Sequence, residues 1–181
     1  MSFRVALAKP EDAADCAALL HEMDAFYAEE TGRAAPLPTR ATYEAEARRW
    51  MDEAEGTRLM LVRTRDDVRL GDGDGEGEGD DRRPGAPAAI ACFAVLRPGQ
   101  TLQGLVWLKD LYVARAHRRR GAGEAATRAV IAWARDHGIG RVDLTTGHDN
   151  AAARALYASL GGKELTDRLV VRFDAAAHAF D

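Results

Sequence analysis

The residues best able to do chemistry lie between Trp107 and Glu124, WLKDLYVARAHRRRGAGE. An apolar segment runs into Arg118, Arg119 and Arg120, and then into Gly121, Ala122, Gly123 and Glu124. Glycine leaves the backbone bare where the chain must bend. Free N–H groups at such a turn point the same way as the positive end of the helix that follows. A strand, a glycine turn and a helix in succession therefore make an anion cradle. Arg115 and the three consecutive arginines load it with positive charge. A Walker A loop is excluded, because its Lys-Ser/Thr ending is missing. The six-residue dinucleotide fingerprint is also missing, since residues 121–126 read GAGEAA.

The cradle needs elements to hold it. Residues 3–8 read as a strand stopped by Pro10. A helix starts there, with Glu11 and Asp12 in its first turn. Cys16, Leu19, Leu20, Met23, Phe26 and Tyr27 recur at helical spacing and make one apolar face. A second helix has Thr39 as N-cap and ends at Gly56. Residues 58–64, 88–96 and 104–113 read as strands. The helix after Gly123 reaches Gly138, with Ala126, Ala129, Val130, Trp133 and His137 on its buried side. A strand at 141–146, a helix at 149–162 capped by Asp149 or Asn150 and closed by Gly161 and Gly162, and a strand at 168–174 complete the order. The fold class is α/β: an α+β mixed sheet, mostly antiparallel and twisted, with helices on both faces. The length of 181 residues suits a single domain, 1–181.

Residues 71–81, GDGDGEGEGDD, form an acidic, Gly-rich loop that is expected to be flexible. Removing its six negative charges moves the formal balance from −4 to +2, so the acidity is local. The tract resembles half of a calcium loop, but no bidentate glutamate follows at the required offset. No basic stripe suggests nucleic acid, and no apolar run is long enough to cross a membrane. Cys16 and Cys92 lie outside any CxxC pattern, which points to a reducing, cytoplasmic setting and to no metal. His21, His117, His137, His148 and His178 show no metal-ligand spacing.

The run R118-R-R-G121-A-G123 resembles the Gln/Arg-x-x-Gly-x-Gly/Ala signature of the GNAT superfamily of N-acetyltransferases. N150-A-A-A153-R-A-L156-Y157 is similar to the second motif of that family, Asn-x-x-Ala-x-x-Leu-Tyr. The resemblance implies a GNAT fold and acetyl-CoA as donor. It implies that Arg118 to Glu124 hold the pyrophosphate, that Leu111, Tyr112 and Val113 pair with pantetheine through their backbone, and that Asn150 belongs to the same site. It further implies direct attack by a primary amine of a small molecule or peptide. In that scheme Tyr157 protonates the departing thiolate. A homodimer through the terminal strands is also implied. The alternative is a GNAT-fold module that binds CoA or acyl-CoA as a regulatory ligand and transfers nothing.

A primary amine must lose a proton before it attacks, since an alkylamine resembles lysine. Asp110 is the candidate base, and Glu29, Glu30 and His148 are alternatives. WLKDLYV resembles the corresponding strand of diamine and spermidine acetyltransferases, Leu-Glu-Asp-Leu-Phe/Tyr-Val, with Lys109 in place of the glutamate. A lysine there repels a polyamine. It either suits an acceptor with a carboxylate or points to solvent. Strand alternation predicts that Lys109 and Asp110 face opposite ways.

Overall fold

The computed structural model describes residues 2–52, 55–65, 85–96 and 104–166. The chain divides into two units, Met1–Gly147 and His148–Asp181. The first unit holds β1 (Phe3–Leu7), α1 (Ala13–Thr31), α2 (Arg40–Trp50), β2 (Thr57–Thr64), β3 (Pro87–Leu96), β4 (Leu105–Val113), α3 (Ala122–Asp136) and β5 (Val142–Leu144). The second holds α4 (Ala151–Ser159). The acidic tract at 71–81 and the strand expected at 168–174 lie outside the described residues.

The five strands form one sheet in the order β1-β2-β3-β4-β5. The first four pair antiparallel, and β5 pairs parallel with β4. This is the mixed, mostly antiparallel sheet that the element order predicts. Alternate side chains divide the strands between two cores. On one face Leu59, Leu61, Ile90, Cys92 and Tyr112 meet Cys16, Leu19, Leu20 and Met23 of α1 and Tyr43 and Ala47 of α2. On the other, Met60, Val62, Ala91, Phe93, Val106 and Leu108 meet Ala122, Ala126, Val130 and Ala134 of α3. The alanines let α3 approach the sheet closely, and Trp133 packs over Phe93 with ring centroids 5.0 Å apart.

Helix boundaries follow the capping chemistry. Thr39 accepts the Thr42 N–H at 3.3 Å, as its place before α2 predicts. Gly32 closes α1 in the left-handed region at φ 65°. Three expectations need correction. Pro10–Asp12 is a short 3-10 turn, and the α-helix starts only at Ala13. α2 stops at Trp50, where the Met51 N–H already reaches back to the carbonyls of Ala47 and Arg48, rather than continuing to Gly56. Tyr27 and His137 are exposed, each being near the end of its helix where the apolar stripe has rotated off the sheet. His137 instead stacks on Trp133 at 4.0 Å and bonds the Trp133 carbonyl through Nδ1 at 2.8 Å.

Between β2 and β3 the chain passes through a narrow neck. Arg63 pairs with Asp12 at 2.8 Å and Asp15 at 2.6 Å, and donates to the Gly85 carbonyl at 3.2 Å. The Thr64 N–H bonds the Ala86 carbonyl at 2.9 Å. Gly85 is required here by space: a Cβ would lie 1.6 Å from the Thr64 carbonyl oxygen.

Candidate functional site

β4 positions both halves of the candidate site in the first unit. Its partner β5 pairs only with Val106, Trp107 and Leu108. From Lys109 to Val113 that edge of β4 has no strand partner among the described residues. The other edge stays paired with β3 from Ala89 to Leu96. An open stretch of edge offers backbone donors and acceptors to an extended ligand.

The chain leaves β4 through Ala114 and a 3-10 turn at Arg115–His117. Arg119 adopts φ 60°, and Gly121 adopts φ 89° as the N-cap of α3. Two left-handed residues so close together wind the backbone into a concave turn. α3 begins at Ala122, one turn position earlier than the spacing suggested, because Gly121 rather than Gly123 takes the bend. The Gly121 carbonyl accepts the Ala125 N–H at 2.9 Å. The N–H groups of Ala122, Gly123 and Glu124 have no carbonyl four residues behind them within the helix. They lie at the positive end of a 15-residue helix. Ala122 is buried, while Glu124 is exposed and pairs with Arg128 at 2.9 Å.

The arginines are not equivalent. Arg119 and Arg120 are exposed. Arg118 folds back toward α1: Nε donates to the Val113 carbonyl at 3.2 Å, and the guanidinium lies 4.6 Å from the centroid of the Phe26 ring. Its Nη2 reaches the Tyr112 hydroxyl at 3.5 Å. Tyr112 in turn donates to Glu22 at 3.1 Å, and the same Glu22 oxygen accepts the Arg115 N–H at 2.9 Å. Burial and the Glu22 carboxylate together hold the Tyr112 phenol above its ordinary range. Arg115 also pairs with Glu29. Glu22 thus ties α1 to the start of the turn. Its partners are 90 and 93 residues away, so only the periodicity that places α1 over the sheet hints at it.

The face around Asp110 shows the largest departure from the sequence expectation. In the β3–β4 register Cys92 faces Asp110 and Phe93 faces Leu108, which leaves Lys109 as the extra residue of a bulge. The bulge resets the alternation. Asp110 falls on the face of Tyr112, toward α1 and α2. Lys109 places Nζ 6.0 Å from the centroid of the Trp50 ring, and Trp50 packs against that same core. The two side chains share a face rather than opposing one another. Burial pushes the Asp110 carboxyl up from its ordinary value; Lys109 opposes this and Asp24 adds to it. Asp24, on α1, accepts the Tyr43 hydroxyl at 2.7 Å. Burial, followed by the Asp24 bond, pushes the Tyr43 phenol to about 12. Tyr27 completes the group, its phenol raised by burial and then by Asp110.

In the second unit, Asn150 caps α4 by accepting the Ala153 N–H at 3.1 Å. Tyr157 is half-buried near the end of α4. Gly161, at φ 82°, and Gly162 close the helix, and the Gly162 N–H bonds the Tyr157 carbonyl at 2.9 Å. A Cβ on Gly162 would lie 2.9 Å from that carbonyl oxygen. His148 is exposed, and its carbonyl accepts from Arg154, which also holds Glu164 at 2.8 Å. Among the described residues no group of His, Cys, Asp and Glu is arranged to hold a metal ion. No described helix is long and apolar enough to cross a membrane.

Comparison with known proteins sets these elements in a family. Residues 34–161 match the model of the Acetyltransferase (GNAT) family. N-acetyltransferase 8 of Homo sapiens is 44% identical over 57 residues, which is 32% of this chain and 25% of the human protein. The N-acetyltransferase YobR of Bacillus subtilis (strain 168) is 32% identical over 66 residues, 36% of this chain and 27% of YobR. The matches thus span about a quarter of the length of these curated relatives. An integron cassette protein from the mobile metagenome of V. cholerae superposes with a TM-score of 0.72 at 19% identity, over 97% of this chain and 94% of the other.

Proposed function

The chain belongs to the GNAT family of acetyltransferases, and from that premise we propose that it moves an acetyl group from acetyl-CoA to a primary amine of a small molecule or peptide. One observation carries the reading: the edge of β4 that has no strand partner among the described residues runs into a left-handed, arginine-rich turn at a helix N-terminus. The open edge suits the amide-bearing pantetheine arm. The N–H groups of residues 122–124 suit the pyrophosphate, with Arg119 and Arg120 adding charge. Charge-assisted bonds of this kind are worth roughly 1.5–3 kcal/mol each.

Transfer then follows as direct attack. The amine arrives as an ammonium and gives a proton to Asp110. Partial burial favours this step, because a carboxylate raised above its ordinary range is the better base. The nitrogen forms a bond to the thioester carbon, and the carbonyl electron pair moves to oxygen. A backbone N–H of the Leu111–Val113 strand is the donor to that oxyanion. When the tetrahedral centre collapses, the carbon–sulfur bond breaks. Tyr157 gives its proton to the leaving thiolate, and the second proton of the nitrogen leaves to solvent. The products are an N-acetyl amide and CoA. Asn150 supports this scheme by fixing the start of the helix that carries Tyr157.

Residues 1–181 act as one domain in this reading, with 71–81 as a connection within it, no metal requirement and homodimer formation through the terminal strands. A cytoplasmic setting is part of the proposal, supported by the two free, buried thiols of Cys16 and Cys92. The test is titration calorimetry with acetyl-CoA, together with release of free thiol in the presence of amines. Tyr157→Phe is expected to keep donor binding and to lower kcat by about 10²–10⁴, the usual range for loss of a general acid. Binding with no thiol release from any amine would favour the regulatory module instead. No binding at high micromolar acetyl-CoA would overturn both.

A further inference from the structure

The face around Asp110 holds more than a base. Burial raises the Asp110 carboxyl, and repulsion from the Asp24 carboxylate adds to the rise. An arriving ammonium relieves that repulsion, so the pair suits the amine end of an acceptor. Lys109 is set on the same face by the bulge, with its ammonium against the Trp50 ring. Its side chain is exposed, and among the described residues it has no carboxylate within 4.0 Å. The face therefore carries the Asp110 carboxylate with an exposed cation, Lys109, beside it.

A molecule with two ammonium groups satisfies Asp24 and Asp110 with one end and meets Lys109 with the other. A molecule with an ammonium and a carboxylate satisfies both. We propose that the acceptors of this protein are amines bearing a carboxylate, such as free amino acids or their derivatives, and that Lys109 is the residue that selects them. The bulge is what makes this selection work. A regular strand would turn Lys109 away from the face that Asp110 occupies. The inference rests on the reading of this face as the acceptor side of an acetyltransferase.

The experiment compares matched acceptors that differ only in the carboxylate: α-amino acids with their carboxamides, and 4-aminobutanoate with 1,4-diaminobutane. The readout is the ratio of kcat/KM within each pair, which cancels changes on the donor side and in the base. Wild type is expected to favour the carboxylate member. Lys109→Glu is expected to shift that ratio on the order of tenfold or more toward the neutral or cationic member. Lys109→Arg keeps the charge and is expected to retain the preference. Thermal melting checks that the variants fold. Turnover of amines with a ratio that Lys109→Glu leaves unchanged overturns the role of Lys109 and leaves the transferase reading intact. Acetyl-CoA binding with no turnover of any amine overturns the transferase reading, and this inference falls with it.

Discussion

The turn at residues 115–124 is built from backbone, whereas the face around Asp110 is built from side chains. At the turn, two left-handed residues and a helix N-terminus set the backbone. At the face, Asp24, Tyr43, Trp50, Lys109 and Asp110 come from three elements and depend on the register of β4. A backbone site can keep one ligand while side chains around it change. A side-chain site can change its ligand through one substitution. Under the proposed function the turn is a fixed donor end and the face an adjustable acceptor end, with the bonds among Tyr112, Arg118 and Glu22 between them.

Asp110→Asn breaks the comparison hardest. It is expected to lower kcat by about 10²–10⁴ while donor affinity barely moves, as measured by steady-state kinetics and calorimetry. The same residue sets a pH signature. Its carboxyl is raised in the fold, so activity should fall on acidification at a higher pH than an ordinary carboxylate would give. Stability runs the other way. Below the unfolded-state value both states hold the proton and its contribution is complete. As pH rises through the folded-state value the contribution is lost, because the ionised group is poorly solvated. At neutral pH Asp110→Asn should therefore melt no lower than wild type, and above it if burial dominates. A fall in both activity and melting temperature would assign Asp110 a structural role instead.

Gly121→Val attacks the other side. At φ 89° a side chain is strained by roughly 1–2 kcal/mol, and more for a β-branched residue. Phe3 is 4.0 Å from the position of a new Cβ, so crowding is secondary. Acetyl-CoA binding is expected to weaken by about tenfold, with acceptor selectivity unchanged. Equal affinity in the variant would mean that the turn does not hold the donor.

Glu22→Gln probes the joint and carries the smallest effect. Glutamine keeps an acceptor oxygen but loses the charge, so about 1 kcal/mol of the bonds to Tyr112 and Arg115 is at stake. The KM for acetyl-CoA should rise several-fold, while kcat and the ratio between acceptors hold. A change confined to melting temperature would show that Glu22 only staples α1 to the sheet.

The same contrast explains what the sequence made legible. Gly121 and the arginines advertise the turn because backbone demands are written into residue types at the position itself. The element order, and with it a mixed sheet with helices on both faces, follows from periodicity, which is also local. The bulge at Lys109 leaves no such mark. It arises from how β4 pairs with Cys92 and Phe93, and strict alternation therefore set Lys109 and Asp110 on opposite faces. Glu22 was hidden for a related reason: an acid on a half-buried helix position has many uses, and its partners lie far along the chain. The cap at Asn150 was readable, being three residues from the N–H it serves.

The neck formed by Arg63, Thr64, Gly85 and Ala86 bears on how this chain tolerates change. Among the described residues it is held by Asp12, Asp15 and main-chain bonds. Halving or doubling a flexible connection alters its closure cost by only about 0.6 kcal/mol. With β2 and β3 held at the neck, their pairing is expected to tolerate a change in the number of residues that join them. That makes the stretch a port at which evolution can lengthen or shorten the chain, and at which an experimenter can splice in an affinity tag or fluorescent reporter, without disturbing the strands on either side.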